Sequence, residues 1–287
     1  DMDKERLEDL FDYMKNEYVL IKENPKIFDV LLAEYPLLAN IKRKTVQVEE
    51  RGENTLIKIK QRLKAFFNWC VSEGYLIANP FGNIKIGCPV NGTPYYITIG
   101  ERNKIADFDL SAHPALEAQR DIFVFQCLIG CRVGDLLKFT NANIVGSVLA
   151  YMPHKTLAKN GAVLKVPLHE KAVEILKKYY KEGDNAPILP FISAQKYNNA
   201  IKEIFTICGI TRNVVVLNPK TREPQNVPIN EVASSHLARR TFVGNLYKQV
   251  KDPNLIGKLS GHSEGSRAFS RYRDIDEEMK QELINLL

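Results

Sequence analysis

The spacing of apolar residues divides the chain into an N-terminal part and a C-terminal part. Up to about residue 83 the pattern predicts helices only. The clearest helix is predicted to begin near Asn54, which can act as its N-cap. Its apolar stripe consists of Leu56, Ile59, Leu63, Phe66, Phe67 and Cys70. The pattern therefore predicts a helical domain over residues 1–86.

A run of turn-forming residues at 87–95 predicts a linker after this domain. Beyond it, residues 120–138 are almost wholly apolar and predict one helix that carries Arg132 in its latter part. Residues 147–152 and 162–167 alternate enough to predict two strands joined by a tight turn. Helices are predicted over 169–182, 194–208 and 233–249, with irregular structure or a small hairpin over 211–229. The fold class is therefore mainly α with a small β-sheet (α+β).

Local signals also predict how the C-terminal part ends. Asp252, followed by proline, predicts an N-cap and a helix start, and Gly261 predicts the end of that helix. His262 is thereby expected in a defined loop just past a helix end. The tail at 276–287 predicts a short amphipathic helix. Together these elements predict a second domain over residues 96–287.

The charge of the chain favours a polyanionic partner. The formal net charge of the 287 residues is +6, and several basic residues cluster in the helical domain. A solvated helix face is the usual explanation of such charges. Here the run lacks the acidic partners of i,i+4 pairs, which favours a surface that faces DNA phosphates. The predicted DNA-binding residues are Lys42, Arg43, Lys44, Lys58, Lys60, Arg62 and Lys64.

The cysteines predict a reduced, cytoplasmic protein. There are five, an odd number, and none forms a CxxC pair. Cys127 and Cys131 would share one face of a helix, but no nearby His or Cys pair completes a metal site, so core packing is favoured. No run approaches the 18 apolar residues of a membrane-spanning helix, so no membrane partner is expected.

Four short islands in the C-terminal part carry side chains suited to chemistry on a phosphodiester. Two guanidinium groups can clamp the non-bridging oxygens of a phosphate bidentately. A tyrosine can hold a cut strand as an ester that stores the bond energy. No cluster of acidic residues suggests a two-metal site, so neither a metal nor a cofactor is expected. The candidate catalytic residues are Arg132, Lys155, His236, Arg239, His262 and Tyr272.

These islands resemble the tyrosine recombinase (phage integrase) family, of the mobile-element integrase type. Arg132 followed by Asp135 is similar to the first arginine box, in which an acidic residue supports the arginine. Residues 236–242 resemble the His-x-Leu-Arg-His-Thr-Phe box, and residues 259–263 match the Leu-Gly-His-Ser segment. Residues 66–80 resemble the core-binding domain of the family, so the resemblance spans nearly the whole chain.

The resemblance implies a site-specific recombinase that cleaves and rejoins DNA strands through a 3′-phosphotyrosine intermediate. Tyr272 would attack phosphorus, and Arg132 and Arg239 would hold the non-bridging oxygens. Lys155 would donate a proton to the leaving 5′-oxygen, with Lys159, nearer the predicted turn, as its rival. Taken alone, each residue also has a structural explanation.

The two histidines would complete this set. His236 is implied to assist proton transfer at the tyrosine, and His262 to hydrogen-bond the phosphate. Ala238 and Arg240 depart from the usual family residues, but neither is a catalytic position of the family.

The implied partners are double-stranded DNA and other copies of the chain. A homotetramer is expected on DNA and a monomer when the protein is free. Two alternatives stay open: a type IB topoisomerase-like enzyme that relaxes supercoils, and a DNA-binding regulator that keeps the fold without cutting.

Overall fold

The computed structural model describes residues 2–26, 49–154, 163–250, 252–262, 271 and 284–285. The chain forms two compact units. The N-terminal unit comprises residues 1–92 together with 217–225, and the C-terminal unit comprises residues 93–216 and 226–287.

Two long helices form the described part of the N-terminal unit. They are α1 (Lys4–Glu23) and α2 (Glu53–Ser72). Their apolar faces meet in a core around Leu7, Phe11 and Phe81, against which Leu63 and Phe67 pack. Burial of these large side chains is the main force that holds the two helices together.

The predicted N-cap of α2 is wrong. Gly52 occupies that position in an extended conformation, and Asn54 lies one residue inside the helix. The Asn54 side chain instead donates to the carbonyl of Val90 at 2.6 Å and accepts from its N–H at 2.9 Å. These two bonds to a distant segment satisfy the amide, so it is not needed at the helix end.

The predicted apolar stripe of α2 is only partly buried. Leu56, Ile57 and Cys70 are the buried residues of this helix. Phe66 is 53% exposed and packs against the exposed Trp69 at a centroid distance of 6.0 Å. Phe66 therefore lies outside the core, although it belongs to the predicted apolar stripe.

The C-terminal unit is built around one helix. α3 (Ile99–Asp107) precedes α4 (Pro114–Ile129), and a short α5 (Val133–Leu136) follows. Every residue of α4 from Gln119 to Ile129 is buried. A helix buried on all sides must be surrounded by other elements, and α4 lies at the centre of the main core.

A small sheet follows α5. It consists of β1 (Ile144–Val145), β2 (Val148–Tyr151) and β3 (Leu164–Pro167), in that order and antiparallel. The register pairs Val148 with Pro167 and Tyr151 with Leu164. β2 and β3 lie within the two predicted strand segments, and β1 was not predicted.

The rest of the unit is again mainly helical. The remaining elements are α6 (Glu170–Lys178), α7 (Ala194–Ile207), β4 (Asn213–Leu217), β5 (Pro224–Pro228), α8 (Ile229–Val232), α9 (Ser235–Val250) and α10 (Pro253–Ser260). β4 and β5 form a second, two-stranded sheet. The predicted fold class, mainly α with a small β-sheet, is confirmed. The predicted tail helix lies outside the described residues, apart from 284–285.

The segment between β4 and β5 groups with the N-terminal unit. Lys220 in this segment pairs with Glu50 at 2.9 Å, and the Arg222 guanidinium lies 3.8 Å from a Glu53 carboxylate oxygen. No local pattern predicts this grouping, because the two partners of each pair lie far apart along the chain. No helix in the described ranges is long and apolar enough to cross a membrane.

Candidate active site

The chain breaks its helix just before Arg132. Gly130 ends α4 with φ +71°, and a side chain there would overlap the ring of Phe242 in α9. Arg132 then adopts an extended conformation as the N-cap residue of α5. The prediction of one continuous helix over 120–138 is therefore wrong, because a left-handed glycine interrupts it.

Two buried polar side chains hold the turn that carries Arg132. The Gln126 amide donates to the carbonyl of Cys131 at 3.1 Å, and the Tyr197 hydroxyl donates to the Gln126 amide oxygen at 3.0 Å. Both side chains are fully buried. A buried polar group left without a partner is costly, so these bonds define one arrangement of the turn.

Arg239 lies on the opposite side of this turn, in α9. It is only 2% exposed, and its Nη1 donates to the Gly130 carbonyl at 2.7 Å. Its Nη2 lies 3.3 Å from both ring nitrogens of His262. A buried guanidinium is stable only with such polar neighbours, and here they fix its orientation.

His262 stands where the sequence predicted it. Asp252 caps α10 by accepting from the N–H groups of Asn254 and Leu255 at 2.8 and 3.2 Å. Gly261 ends α10 with φ +67°. His262 follows directly, and its Nδ1 lies 2.7 Å from the buried hydroxyl of Ser260. The predicted helix start and stop are both confirmed.

A cleft of about 490 Å³ joins these elements. Four of the predicted catalytic side chains meet here: Arg132, His236 and Arg239 line the cleft, and His262 contacts Arg239. Among the described residues that line the cleft, Arg132, Lys138 and Arg239 are cationic and Asp135 alone is anionic. A surface with this balance attracts an anion.

Asp135 does not pair with Arg132. The Asp135 carboxylate accepts a hydrogen bond from the backbone N–H of His154 at 2.9 Å. Within the described residues, the Arg132 guanidinium makes no hydrogen bond or ion pair. The Asp135 carboxylate therefore does not contact the Arg132 guanidinium directly. Asp135 instead ties the end of the strand segment to α5.

Burial and the neighbouring cations both lower the pKa of the two histidines of this site. The pKa of His262 is lowered to about 3, first by removal from water and then by the charges of Arg239 and Arg132. The pKa of His236 is lowered to about 4, first by desolvation and then by Arg240 and Arg239. His236 keeps much of its surface exposed, so water screens part of this effect. The direction of the pKa shift is nevertheless clear, because every neighbouring charge named is positive.

Several predicted site residues lie outside the described residues. These are Lys42, Arg43, Lys44, Lys155, Lys159 and Tyr272. The residues that directly precede two of them are described. His154, before Lys155, lines the cleft. Arg271, before Tyr272, contributes a positive charge that lowers the pKa of His236.

The basic run on α2 does not form one uniform face. Lys58 and Arg62 are exposed, whereas Lys60 and Lys64 are half-buried. The Lys60 ammonium lies 4.5 Å from the ring centroid of Phe11, in the geometry of a cation–π contact. Lys58 and Arg62 are therefore the members of the run most accessible to a ligand.

Sequence reasoning missed the residues that position the site. Gln126, Tyr197 and Ser260 act through hydrogen bonds to backbone or to other side chains. Gly130 did carry a signal, since a glycine within an apolar run commonly marks a helix end. Tyr197 carried none, because its partner Gln126 lies 71 positions away.

The fold and this cleft agree with the comparisons to known proteins. A family model described as the phage integrase family matches residues 97–279. The chain belongs to the phage integrase family, as its sequence motifs predicted. Tyrosine recombinase XerC of Proteus mirabilis is 23% identical over 208 residues, which cover 70% of this chain and 62% of that protein. The chain thus spans less than two thirds of the length of that relative.

Two further proteins illustrate the similarity. The Prophage ps2 probable integrase of Lactococcus lactis subsp. lactis (strain IL1403) is 21% identical over 276 residues, covering 87% of this chain and 72% of that protein. A crystal structure of a lambda integrase dimer bound to a COC′ core site matches with a TM-score of 0.56 and 20% identity, covering 78% of this chain and 75% of that one. At this identity the structural similarity shows a shared fold.

Proposed function

We propose that this protein is a site-specific DNA recombinase, or integrase, that cleaves and rejoins DNA strands through a 3′-phosphotyrosine intermediate. One observation carries the proposal: Arg132, His236 and Arg239 line a single cleft, although more than 100 positions separate the first from the other two. His262 contacts Arg239 at the same place. A phosphodiester entering this cleft would meet two guanidinium groups from separate elements.

The two arginines suit the charge that develops on phosphorus. Attack by a hydroxyl places additional negative charge on the non-bridging oxygens, and donors already in position stabilise that charge. Arg239 is held by the Gly130 carbonyl, and Arg132 by a turn that Gln126 supports. The Arg239 guanidinium and the backbone turn that carries Arg132 are therefore held by buried contacts before DNA arrives.

The nucleophile in this proposal is Tyr272. Its neighbour Arg271 exerts its charge on His236, which supports a nucleophile close to that histidine. A neutral His236 can accept the tyrosine proton as the hydroxyl attacks. The phosphate charge should raise the pKa of both histidines, which favours this transfer.

The general acid in this proposal is Lys155. A lysine must lie within hydrogen-bond reach of the leaving 5′-oxygen. His154 lines the cleft and is tied to Asp135, and consecutive Cα atoms are about 3.8 Å apart. This anchoring favours Lys155 over Lys159, which is four residues further from the anchored position.

DNA binding would use both units. We assign residues 1–86 to a core-type DNA-binding domain, 87–95 to a linker and 96–287 to the catalytic domain. The boundary between the compact units at residues 92 and 93 falls within that linker, which supports this division. Lys58 and Arg62 are exposed cations that can contact DNA phosphates.

The proposed reaction also bears on how many copies of the chain assemble on DNA. The lambda integrase structure contains a dimer on one core site. Exchange between two such sites would bring two dimers together, so we propose a homotetramer on DNA and a monomer when the protein is free. The similarity to a prophage integrase supports a mobile-element role in the cytoplasm.

Covalent capture tests the proposal. The protein is incubated with a library of duplexes that have a randomised core and one nick, so that the fragment released by cleavage diffuses away and traps the adduct. An adduct that resists detergent, with sequences enriched in one core motif, is the expected result. Tyr272→Phe should bind the same motif without forming the adduct.

Other outcomes identify other functions. Enriched binding without any adduct from the unaltered protein would indicate a DNA-binding regulator. Adducts without sequence enrichment, together with relaxation of a supercoiled plasmid, would indicate a topoisomerase. Either result overturns the proposal.

A further inference from the structure

The contacts of Ser260 single it out near the cleft. Its side chain is 1% exposed, in the last turn of α10. The hydroxyl oxygen lies 2.8 Å from the carbonyl of Ile256 and 2.7 Å from Nδ1 of His262. Both distances are within the usual range for hydrogen bonds. The hydroxyl therefore connects the helix backbone to the imidazole ring.

A serine hydroxyl has one proton to donate, and this limits the arrangement. A backbone carbonyl can only accept, so the bond to Ile256 uses the hydroxyl proton of Ser260. The hydroxyl oxygen must then accept from His262, which requires a proton on Nδ1. In a neutral imidazole the other nitrogen, Nε2, is then the acceptor.

Arg239 does not decide between the two tautomers. A guanidinium group can only donate, so it can bond whichever ring nitrogen carries the lone pair. Its Nη2 is 3.3 Å from both nitrogens, so either tautomer satisfies it equally well. Of these two contacts, the one with Ser260 is the one that distinguishes Nδ1 from Nε2.

We propose that Ser260 is a positioning residue that fixes His262 as the tautomer with its proton on Nδ1, so that Nε2 is the nitrogen that serves the scissile phosphate. This inference rests on the proposed function only where it names a DNA phosphate as the group that Nε2 meets. A proton taken up from solvent on Nε2 would turn His262 into a cation that donates to a phosphate oxygen. The Nδ1 bond to Ser260 would stay intact through this change.

The tautomer can be measured directly on the DNA-free protein. Long-range proton–nitrogen spectra of ¹⁵N-histidine-labelled protein at pH 7 distinguish the two tautomers, because Nδ1 and Nε2 couple to different ring protons. The chain has five histidines, so the spectrum is simple, and loss of one set of signals in His262→Gln assigns it. The expected pattern is a protonated Nδ1 and an unprotonated Nε2. A protonated Nε2 in the unaltered protein overturns the proposal.

Variants extend the test. Ser260→Ala should lose the uniform Nδ1-protonated pattern, and adduct formation should slow by roughly 2- to 10-fold, the scale of one lost hydrogen bond. Ser260→Thr keeps the hydroxyl and should restore both. Ser72→Ala is the matched control, since it also removes a hydroxyl that donates to a backbone carbonyl near a helix end, the Trp69 carbonyl at 2.8 Å.

The results separate this inference from the proposed function. An unchanged His262 pattern in Ser260→Ala overturns the positioning role, whatever the activity. The expected pattern together with no covalent adduct leaves the tautomer assignment in place and overturns the recombinase proposal instead.

Discussion

The cleft of the C-terminal unit and the exposed cations of α2 place positive charge in opposite ways. Arg239 is buried and bonded to a backbone carbonyl, and its neighbour Arg132 projects from a turn fixed by buried side chains. Lys58 and Arg62 on α2 are exposed and have no ion pair with any described residue. The first arrangement fixes the position of charge, and the second leaves it mobile in solvent.

This difference indicates that the two regions have separate roles in the reaction. A fixed donor stabilises a transition state because little reorganisation is needed when charge develops. An exposed ammonium or guanidinium group contributes to DNA affinity mainly by releasing counterions, without a fixed geometry. The cleft should therefore control the rate of strand cleavage, and α2 should control affinity and its dependence on salt.

The largest effect is expected from Arg239→Lys. The single nitrogen of a lysine cannot keep the Gly130 bond and also offer a phosphate the parallel pair of donors that a guanidinium presents. Adduct formation in a single turnover at saturating DNA should fall by about 10²- to 10³-fold, the scale of a lost oxyanion donor. Lys58→Gln should leave this rate unchanged. A near-normal rate in Arg239→Lys would contradict the expectation that the fixed guanidinium of the cleft controls the rate of strand cleavage.

The next effect is on folding, in Gly130→Ala. The backbone at Gly130 has φ +71°, and the added methyl group would overlap Phe242. Strain and overpacking should together lower the free energy of unfolding by about 2–4 kcal/mol, measured by urea denaturation. Gly134→Ala is the matched control, because nothing lies within 4 Å of its added carbon. Equal stability of the two variants would show that the left-handed turn at Gly130 does not contribute to the free energy of unfolding.

A smaller effect is expected when α2 loses charge. Lys58→Gln combined with Arg62→Gln should weaken DNA binding for all sequences and reduce the salt slope by about 1.8, since each phosphate contact contributes about 0.9. Fluorescence anisotropy across a salt series measures this slope. Lys177→Gln with Lys202→Gln removes the same charge from exposed positions of α6 and α7 and should change the slope much less. Equal slopes in both double variants would argue against a DNA-facing α2.

The smallest effect is a pH dependence of stability. The folded-state pKa of His262 is about 3, below the usual value of about 6.5, so the unfolded chain binds the proton more tightly. Stability should therefore be full above about pH 6.5 and decline as the pH falls towards 3. Urea denaturation between pH 7 and 4 should show a shallower decline in His262→Asn. An unchanged decline in His262→Asn would contradict this expectation.

Local signals explain which parts of the fold were predictable. Asp252, Pro253 and Gly261 define α10 through contacts within a few residues, and the sequence shows all of them. The glycine at 130 was a local signal for the break in this helix, but its close packing against Phe242, more than 100 positions later, could not be read from the sequence. The N-cap prediction for Asn54 was wrong for a similar reason, because its amide bonds the distant backbone of Val90 rather than its own helix.

The residues of the candidate site also fall into a group that local motifs predict and a group that they do not. Arg132, His236, Arg239 and His262 belong to motifs with fixed local spacing, so the sequence revealed them. The supporting Gln126, Tyr197 and Ser260 are common residue types with no motif of their own. Their roles depend on hydrogen-bond geometry, which only the folded chain supplies.

The hairpin tip at 217–225 has a practical consequence for separating the two halves of this protein. The chain passes between the compact units three times, at residues 92, 216 and 225. A fragment cut after residue 92 would lose the Lys220–Glu50 pair and uncover the surface around Gly52. The complementary fragment would display an unsupported loop. Fusing residues 217–225 through a short bridge to the end of the N-terminal piece is therefore the better way to obtain that half alone.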